Sequence, residues 1–222
     1  MGKKIIDLYM INTDNIYALE KTKELQIKQN GNYTSSNIPY YSTNISFAVG
    51  SNEVFIASYE YGVIKFDLRS KNFSLANTNT TNVNTTCISF SPNYATNFTV
   101  YLGTANNGLY ISKNGGETFT SFGSLDHYQI LDVKELSGGT ILVGTLGNGL
   151  FAPSTSSDTF TQLPILKNHS VGNIFEYNNA LYLGTEDDGL YTADLNFQNL
   201  KKVDAIPSYD ENINFIKSAG NY

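Results

Sequence analysis

One recurring pattern constrains this chain more than any other. Three apolar residues, Gly-Thr, three variable residues, then Gly-Leu and an aromatic residue appear at 100–110, 141–151 and 181–191. A looser copy occupies 54–66, and a weaker one, with Asn15 where the others carry glycine, occupies 8–19. Asparagine is the next residue after glycine to tolerate a positive φ, so Asn15 is read as the fifth turn anchor. The anchors Asn15, Gly62, Gly108, Gly149 and Gly189 lie 47, 46, 41 and 40 residues apart. Passing from Gly189 through the C-terminus back to Asn15 covers 48, so the period closes on itself.

A second strand-like stretch precedes each anchor, at 44–49, 87–90, 130–133, 172–175 and, at the end of the chain, 213–216. A unit of about 40 to 48 residues made of four short strands has the period of a propeller blade, and five units fall within the usual four to eight. The sequence therefore predicts an all-β fold: a five-bladed β-propeller of four-stranded antiparallel blades, one domain spanning 1–222. In this register the first blade takes its inner strand from 213–216 and three outer strands from the N-terminus, so that the chain ends close it and remove two sheet edges. The second strands, such as Val54-Phe-Ile-Ala and Ala180-Leu-Tyr-Leu, are nearly continuous apolar runs. Strands covered on both faces read this way. A β-sandwich or jelly roll also uses many short strands, but neither requires a period that closes at the termini.

Composition narrows the function classes. The 222 residues are 41% hydrophobic and 15% charged, enough apolar material for a core. No apolar run approaches the ~18 to 20 residues of a membrane-spanning helix, so no membrane insertion is expected. The net charge is −6 and Arg69 is the sole arginine, which leaves nucleic acid little to grip. A lone Cys87 excludes an internal disulfide and a Cys-rich zinc site, and no cofactor is implied. The N-terminal Met-Gly-Lys-Lys-Ile-Ile-Asp lacks the apolar stretch of a signal peptide. An extracellular or periplasmic location is favoured if a leader has been removed, a cytoplasmic one otherwise.

Ser112-Lys-Asn-Gly-Gly-Glu-Thr-Phe119 resembles the Asp-box motif, Ser-x-Asp-x-Gly-x-Thr-Trp/Phe, of sialidases and many other propellers, with Asn114 in place of the aspartate; a degenerate copy follows at 154–160. The Leu-Gly-Thr-x-x-x-Gly-Leu-Tyr units resemble the repeats of two-component-regulator propellers. Both resemblances imply architecture rather than activity. The Asp box implies a turn between third and fourth strands, tied by its polar side chains and away from the ligand face. Ser112, Asn114, Gly116, Thr118 and Phe119 are accordingly structural. A sialidase-like site would need three arginines on the substrate carboxylate, and this chain has one.

Other catalytic readings are equally thin. Five-bladed glycosidases need carboxylates about 5 to 9.5 Å apart across the channel mouth. Asp126, Asp132, Glu186, Asp187, Asp188 and Asp210 fall near that face, but no spacing singles out an acid and a base. His127 and His169 precede corresponding inner strands without a third metal ligand. The 186–189 turn lacks the alternating ligands of a calcium loop. The chain is therefore expected not to be an enzyme.

In propellers the loops entering the inner strands share a face with the loops between second and third strands. That geometry gathers Tyr41, His127, His169 and Asp210 from the first set, and Tyr59, Glu60, Asn106, Asn107, Asn148, Glu186, Asp187 and Asp188 from the second. Tyrosines beside Asn, Asp and Glu suit a polar ligand such as a sugar, and equally a protein-binding rim. The expectation is a non-catalytic recognition module for a protein partner or polar ligand. A lectin-like carbohydrate-binding propeller is the alternative, and a divergent glycosidase carries less weight. Because the loops differ from blade to blade, a single asymmetric site or a protein partner is favoured over a multivalent lectin.

Overall fold

A computed structural model of the chain describes residues 5–12, 14–20, 24–39, 42–47, 52–58, 61–76, 83–154, 159–203, 212–213 and 216. Five four-stranded antiparallel sheets follow one another. They are β1–β4 (Ile5–Asn12, Asn15–Glu20, Glu24–Gln29, Asn32–Asn37) and β5–β8 (Ser42–Phe47, Glu53–Ser58, Gly62–Asp67, Phe73–Ala76). The third and fourth are β9–β12 (Thr85–Phe90, Val100–Thr104, Leu109–Ser112, Thr120–Ser121) and β13–β16 (Ile130–Glu135, Ile141–Thr145, Leu150–Pro153, Phe160–Gln162). The last is β17–β20 (Val171–Tyr177, Ala180–Thr185, Leu190–Asp194, Lys201–Lys202). The fold is the expected all-β, five-bladed β-propeller, with a single helical turn at Tyr94–Asn97 among the described residues.

The second strands β6, β10, β14 and β18 are buried along most of their length, as their continuous apolar runs required. Two compact units divide the chain, Met1–Leu102 with Ile111–Thr120 and Ser218–Tyr222, and Gly103–Tyr110 with Ser121–Lys217. In the first, Leu19, Ile27, Val54, Ile64 and Phe66 share a core, and β1 packs on β5 as β5 packs on β9. In the second, Leu142, Leu150, Val171, Leu181 and Leu183 share another, with β17 packed on β13 and β14.

The Gly-Thr-x-x-x-Gly repeat has two structural jobs. Its threonine clamps the turn: Thr145 donates from both its amide (3.0 Å) and its hydroxyl (2.9 Å) to the carbonyl of Gly149, and Thr104 and Thr185 do the same to Gly108 and Gly189. The closing glycines take positive φ, +66° at Gly149 and +69° to +78° at Gly62, Gly108 and Gly189. The first glycine of the repeat gives close approach instead. A Cβ on Gly144 would lie 2.2 Å from the carbonyl oxygen of Val171 in the next sheet.

The hairpin at 112–119 is tied by its own side chains. Asn114 Oδ1 accepts from the Ser112 hydroxyl (2.8 Å) and the Thr118 amide (3.0 Å), while Ser112 Oγ accepts from Gly116 N (2.9 Å). It joins β11 to β12, with Phe119 buried beneath it.

The first blade departs from the sequence reading. Its described sheet draws all four strands from 5–37, rather than an inner strand from 213–216 and three from the N-terminus. Strand β1 carries a register shift between Ile5 and Asp7, matching those at Ser42/Asn44, Ile130/Asp132 and Val171/Asn173 in β5, β13 and β17. Thus β1 is a first strand, not the second strand that the 8–19 copy suggested. Asn15 begins β2 without a positive φ; the left-handed residues are Asn30 (φ 50°) and Gly31 (φ 79°) between β3 and β4. Asn-Gly is a strong two-residue hairpin signal, and it lets four strands complete themselves locally.

Ile213 and Ile216 lie against the fifth sheet as β17 lies against the fourth. Ile216 N donates to Asn173 Oδ1 (3.1 Å), as Ile174 N donates to Asp132 Oδ2 (2.7 Å). A Cβ on Gly184 would meet Ile213, as one on Gly144 would meet Val171.

Candidate functional site

Within the second unit the two loop sets meet at one end of the strands. The β14–β15 loop is bonded to the segment entering its own sheet, Leu146 N to Gln129 O (3.0 Å), and to the segment entering the next, Gly149 N to His169 O (2.8 Å). Gly147 N donates to Ser170 Oγ and Glu186 N to Ser170 O, both at 3.0 Å. These bonds bring Asn148, His169, Glu186, Asp187 and Asp188 into one neighbourhood.

Its centre is His169. Nδ1 lies 3.3 Å from Asp187 Oδ2 and Nε2 lies 3.8 Å from Asp188 Oδ2. Nδ1 is buried, and its approach to Asp187 is not aligned as a hydrogen bond. Asp187 Oδ1 accepts the Ser170 amide at 3.2 Å. Asp188 is held from three sides: its own amide donates to Thr185 Oγ1 (2.9 Å), and its carboxylate accepts from the Tyr191 hydroxyl and the Lys202 ammonium. The hydrogen bonds from Lys202 and Tyr191, and then the charges of Lys202 and His169, hold its carboxyl below the ordinary 3.8. Glu186 moves the other way. Its side chain lies beside Gly172, and desolvation, with the charge of Asp187, pushes its carboxyl above the usual 4.5.

Sequence reasoning missed Lys202 and Tyr191. The β19–β20 pairing sets Tyr191 directly opposite Lys202, so the two reach Asp188 together. Tyr191 is the aromatic residue that closes the Gly-Leu-Tyr of the fifth repeat, and Lys202 is one of only 14 cationic residues, which were the available signals.

The remaining candidates are dispersed. Asn106 and Asn107 are exposed on the β10–β11 loop, where Asn107 N donates to Thr104 Oγ1 (3.0 Å). His127 is exposed in the neighbouring turn closed by Tyr128 N to Leu125 O. The Asn148 side chain turns back to Leu146 O (3.0 Å). The Asp132 carboxylate is taken up by backbone: one oxygen accepts the Val133 amide and the other the Ile174 amide, at a β-bulge between packed sheets. Tyr41, Tyr59, Glu60 and Asp210 lie outside the described residues. Among the described residues no group of three or more His, Cys, Asp and Glu could hold a metal ion.

Solved structures resemble this arrangement at the level of the whole chain. The extracellular domain of BT4673 from B. thetaiotaomicron superposes with a TM-score of 0.70 at 17% identity, over 90% of this chain and 27% of that one. The GH74 enzyme of Niastella koreensis gives 0.70 at 17% identity, over 89% and 38%. The extracellular domain of BT3049 from B. thetaiotaomicron gives 0.56 at 14% identity, over 96% and 36%. The likeness is one of fold. This chain spans less than two-fifths of the length of each of these three. No protein-family model matches the chain, and no curated protein does.

Proposed function

We propose that the chain is a non-catalytic recognition module, and that the loop face centred on His169, Asp187 and Asp188 binds a polar ligand or a protein partner. The observation that carries this reading is the fixing of the loop carboxylates by the fold's own donors. Asp188 is bound by Tyr191 and Lys202, and Asp187 by the Ser170 amide beside His169. Groups held in this way form a preset array of acceptors, whereas an acid–base pair must leave one proton donor and one carboxylate directed at a substrate bond. Leu146, 43% exposed, and the exposed Asn148 add apolar and polar surface from the adjoining loop, the mixture of an interaction rim. The extracellular domains of BT4673 and BT3049 share the fold, which is consistent with a binding role outside the cell.

A lectin-like role is the second reading. It is favoured by the Tyr191 ring near His169, 6.5 Å between centroids, beside acceptor oxygens, and by the fold shared with the GH74 enzyme of Niastella koreensis.

The test is binding of the purified chain to a glycan array and a peptide array in parallel, with Asp187→Asn and Glu186→Gln beside the parent. Loss of at least about tenfold in affinity in either folded variant supports the loop face. Binding untouched by both variants moves the site elsewhere, blank arrays remove the reading for the classes displayed, and release of reducing sugar from a bound glycan replaces it with an enzymatic one.

A further inference from the structure

The outer edge of the first sheet differs from the others. Strand β4 is six residues long, and its neighbour pairing to β3 runs without a register shift from Glu24↔Asn37 to Gln29↔Asn32. The outer strands β12 and β20 have two residues each, β16 three and β8 four. Shortness blunts those edges, and β20 adds two lysines. Among the described residues none of the usual protections appears on β4. Asn-Tyr-Thr-Ser-Ser-Asn contains no charge and no proline, five of its six residues are exposed, and Tyr33 is 78% exposed.

The turn fixes which backbone groups face outward. In a two-residue hairpin the residues flanking the turn, here Gln29 and Asn32, exchange hydrogen bonds, and bonding alternates along an antiparallel pair. Asn32, Thr34 and Ser36 therefore bond inward to β3, while Tyr33, Ser35 and Asn37 direct their N–H and C=O groups away from the sheet.

We propose that β4 is a self-association edge: a second copy of this chain adds its own β4 antiparallel to the first, about a two-fold axis at Ser35. That register sets Ser35 against Ser35, and Tyr33 against Asn37 in both directions, so each outward donor meets an outward acceptor. A second copy is the occupant that the strand itself fits: its outward groups at 33, 35 and 37 are self-complementary about Ser35, and because β4 is uncharged two copies of a chain that carries −6 meet here without opposing like charges. The neutral small side chains at 34–36 leave room beside the edge for an isologous pairing.

Two substitutions test it. Ser35→Lys opposes two ammonium groups at the axis, and Ser35→Pro removes an outward donor while sparing the inward ladder. In sedimentation equilibrium of the 222-residue chain, the parent should dimerise and each variant should dissociate at least tenfold more readily, with unchanged circular dichroism. Amide exchange supplies a measurement independent of any variant. The Tyr33, Ser35 and Asn37 amides should be protected at high protein concentration and lose that protection on dilution, while Thr34 stays protected. A parent that stays monomeric to millimolar concentration overturns the proposal. So does a dimer that both folded variants leave intact, or concentration-independent exchange at 33, 35 and 37.

Discussion

Asp132 of the fourth sheet accepts a hydrogen bond from the backbone amide of Ile174 in the fifth, with 2.7 Å from Oδ2 to nitrogen. Its other oxygen accepts Val133 N at 2.9 Å, so one carboxylate satisfies two amides that a β-bulge would leave open. Replacing it with alanine strands the amide of Ile174, a residue only 5% exposed, and should cost about 1.5 to 3 kcal/mol in urea unfolding. Asp132→Asn should lose less, because Asn173 performs the same task one sheet on. Equal losses in the two variants would show that the carboxylate charge, not the acceptor position, matters.

Gly147 and Gly149 separate conformational cost from steric cost. Both hold positive φ, +69° and +66°, but a Cβ at Gly147 meets nothing within 4 Å while one at Gly149 would sit 2.3 Å from Leu166 O. Alanine at 147 should cost about 1 kcal/mol, the penalty of the left-handed region alone. Alanine at 149 should cost about 3 kcal/mol or more, since backbone must move as well. Thermal unfolding of the two variants side by side checks the difference; similar losses would refute the close approach.

Thr145→Val keeps the shape of a fully buried side chain and deletes its hydroxyl bond to Gly149 O. The carbonyl retains the Thr145 amide at 3.0 Å, so the loss should be moderate, about 1 kcal/mol. In a domain of this size that lowers the melting temperature by about 2 to 4 °C.

The two acids at the loop face should respond oppositely to pH. Asp188 has a folded pKa below its unfolded 3.8, so the stability it contributes is complete above 3.8 and disappears as pH falls through the lower folded value. Glu186 has a folded pKa above 4.5, so folding is favoured while it is protonated, and that contribution fades as pH rises from 4.5 through the folded value. Glu186→Gln should therefore gain a few tenths of a kcal/mol at neutral pH, about the scale left after solvent screening, and nothing near pH 4. Lys202→Met should bring the Asp188 carboxyl back toward 3.8 in an NMR titration; an unmoved midpoint would refute the pairing.

Much of the architecture was legible in the sequence because the last three blades repeat one local instruction. Gly-Thr-x-x-x-Gly encodes a buried strand, a clamped turn and a left-handed residue, all within nine positions. The weakest copy misled for the same reason. Residues 8–19 share the apolar pattern of a second strand, but apolar spacing does not distinguish a first strand from a second; Asp7 and the Asn30-Gly31 turn do. The loop face was legible only as a list of exposed polar residues. Lys202 reaches Asp188 from 14 positions away because β20 pairs with β19, and no local pattern states that register.

The sequence by itself determined the four-stranded blade, its period and the turns of the glycine-anchored repeats, since these rest on backbone preferences and burial patterns within each repeat. Only the tertiary structure decided which strands compose the first sheet, that Asp132 serves a neighbouring sheet, and that His169 sits between Asp187 and Asp188. The last two depend on hydrogen bonds and charges meeting across 17 to 42 residues of chain, where geometry rather than local propensity selects the partner.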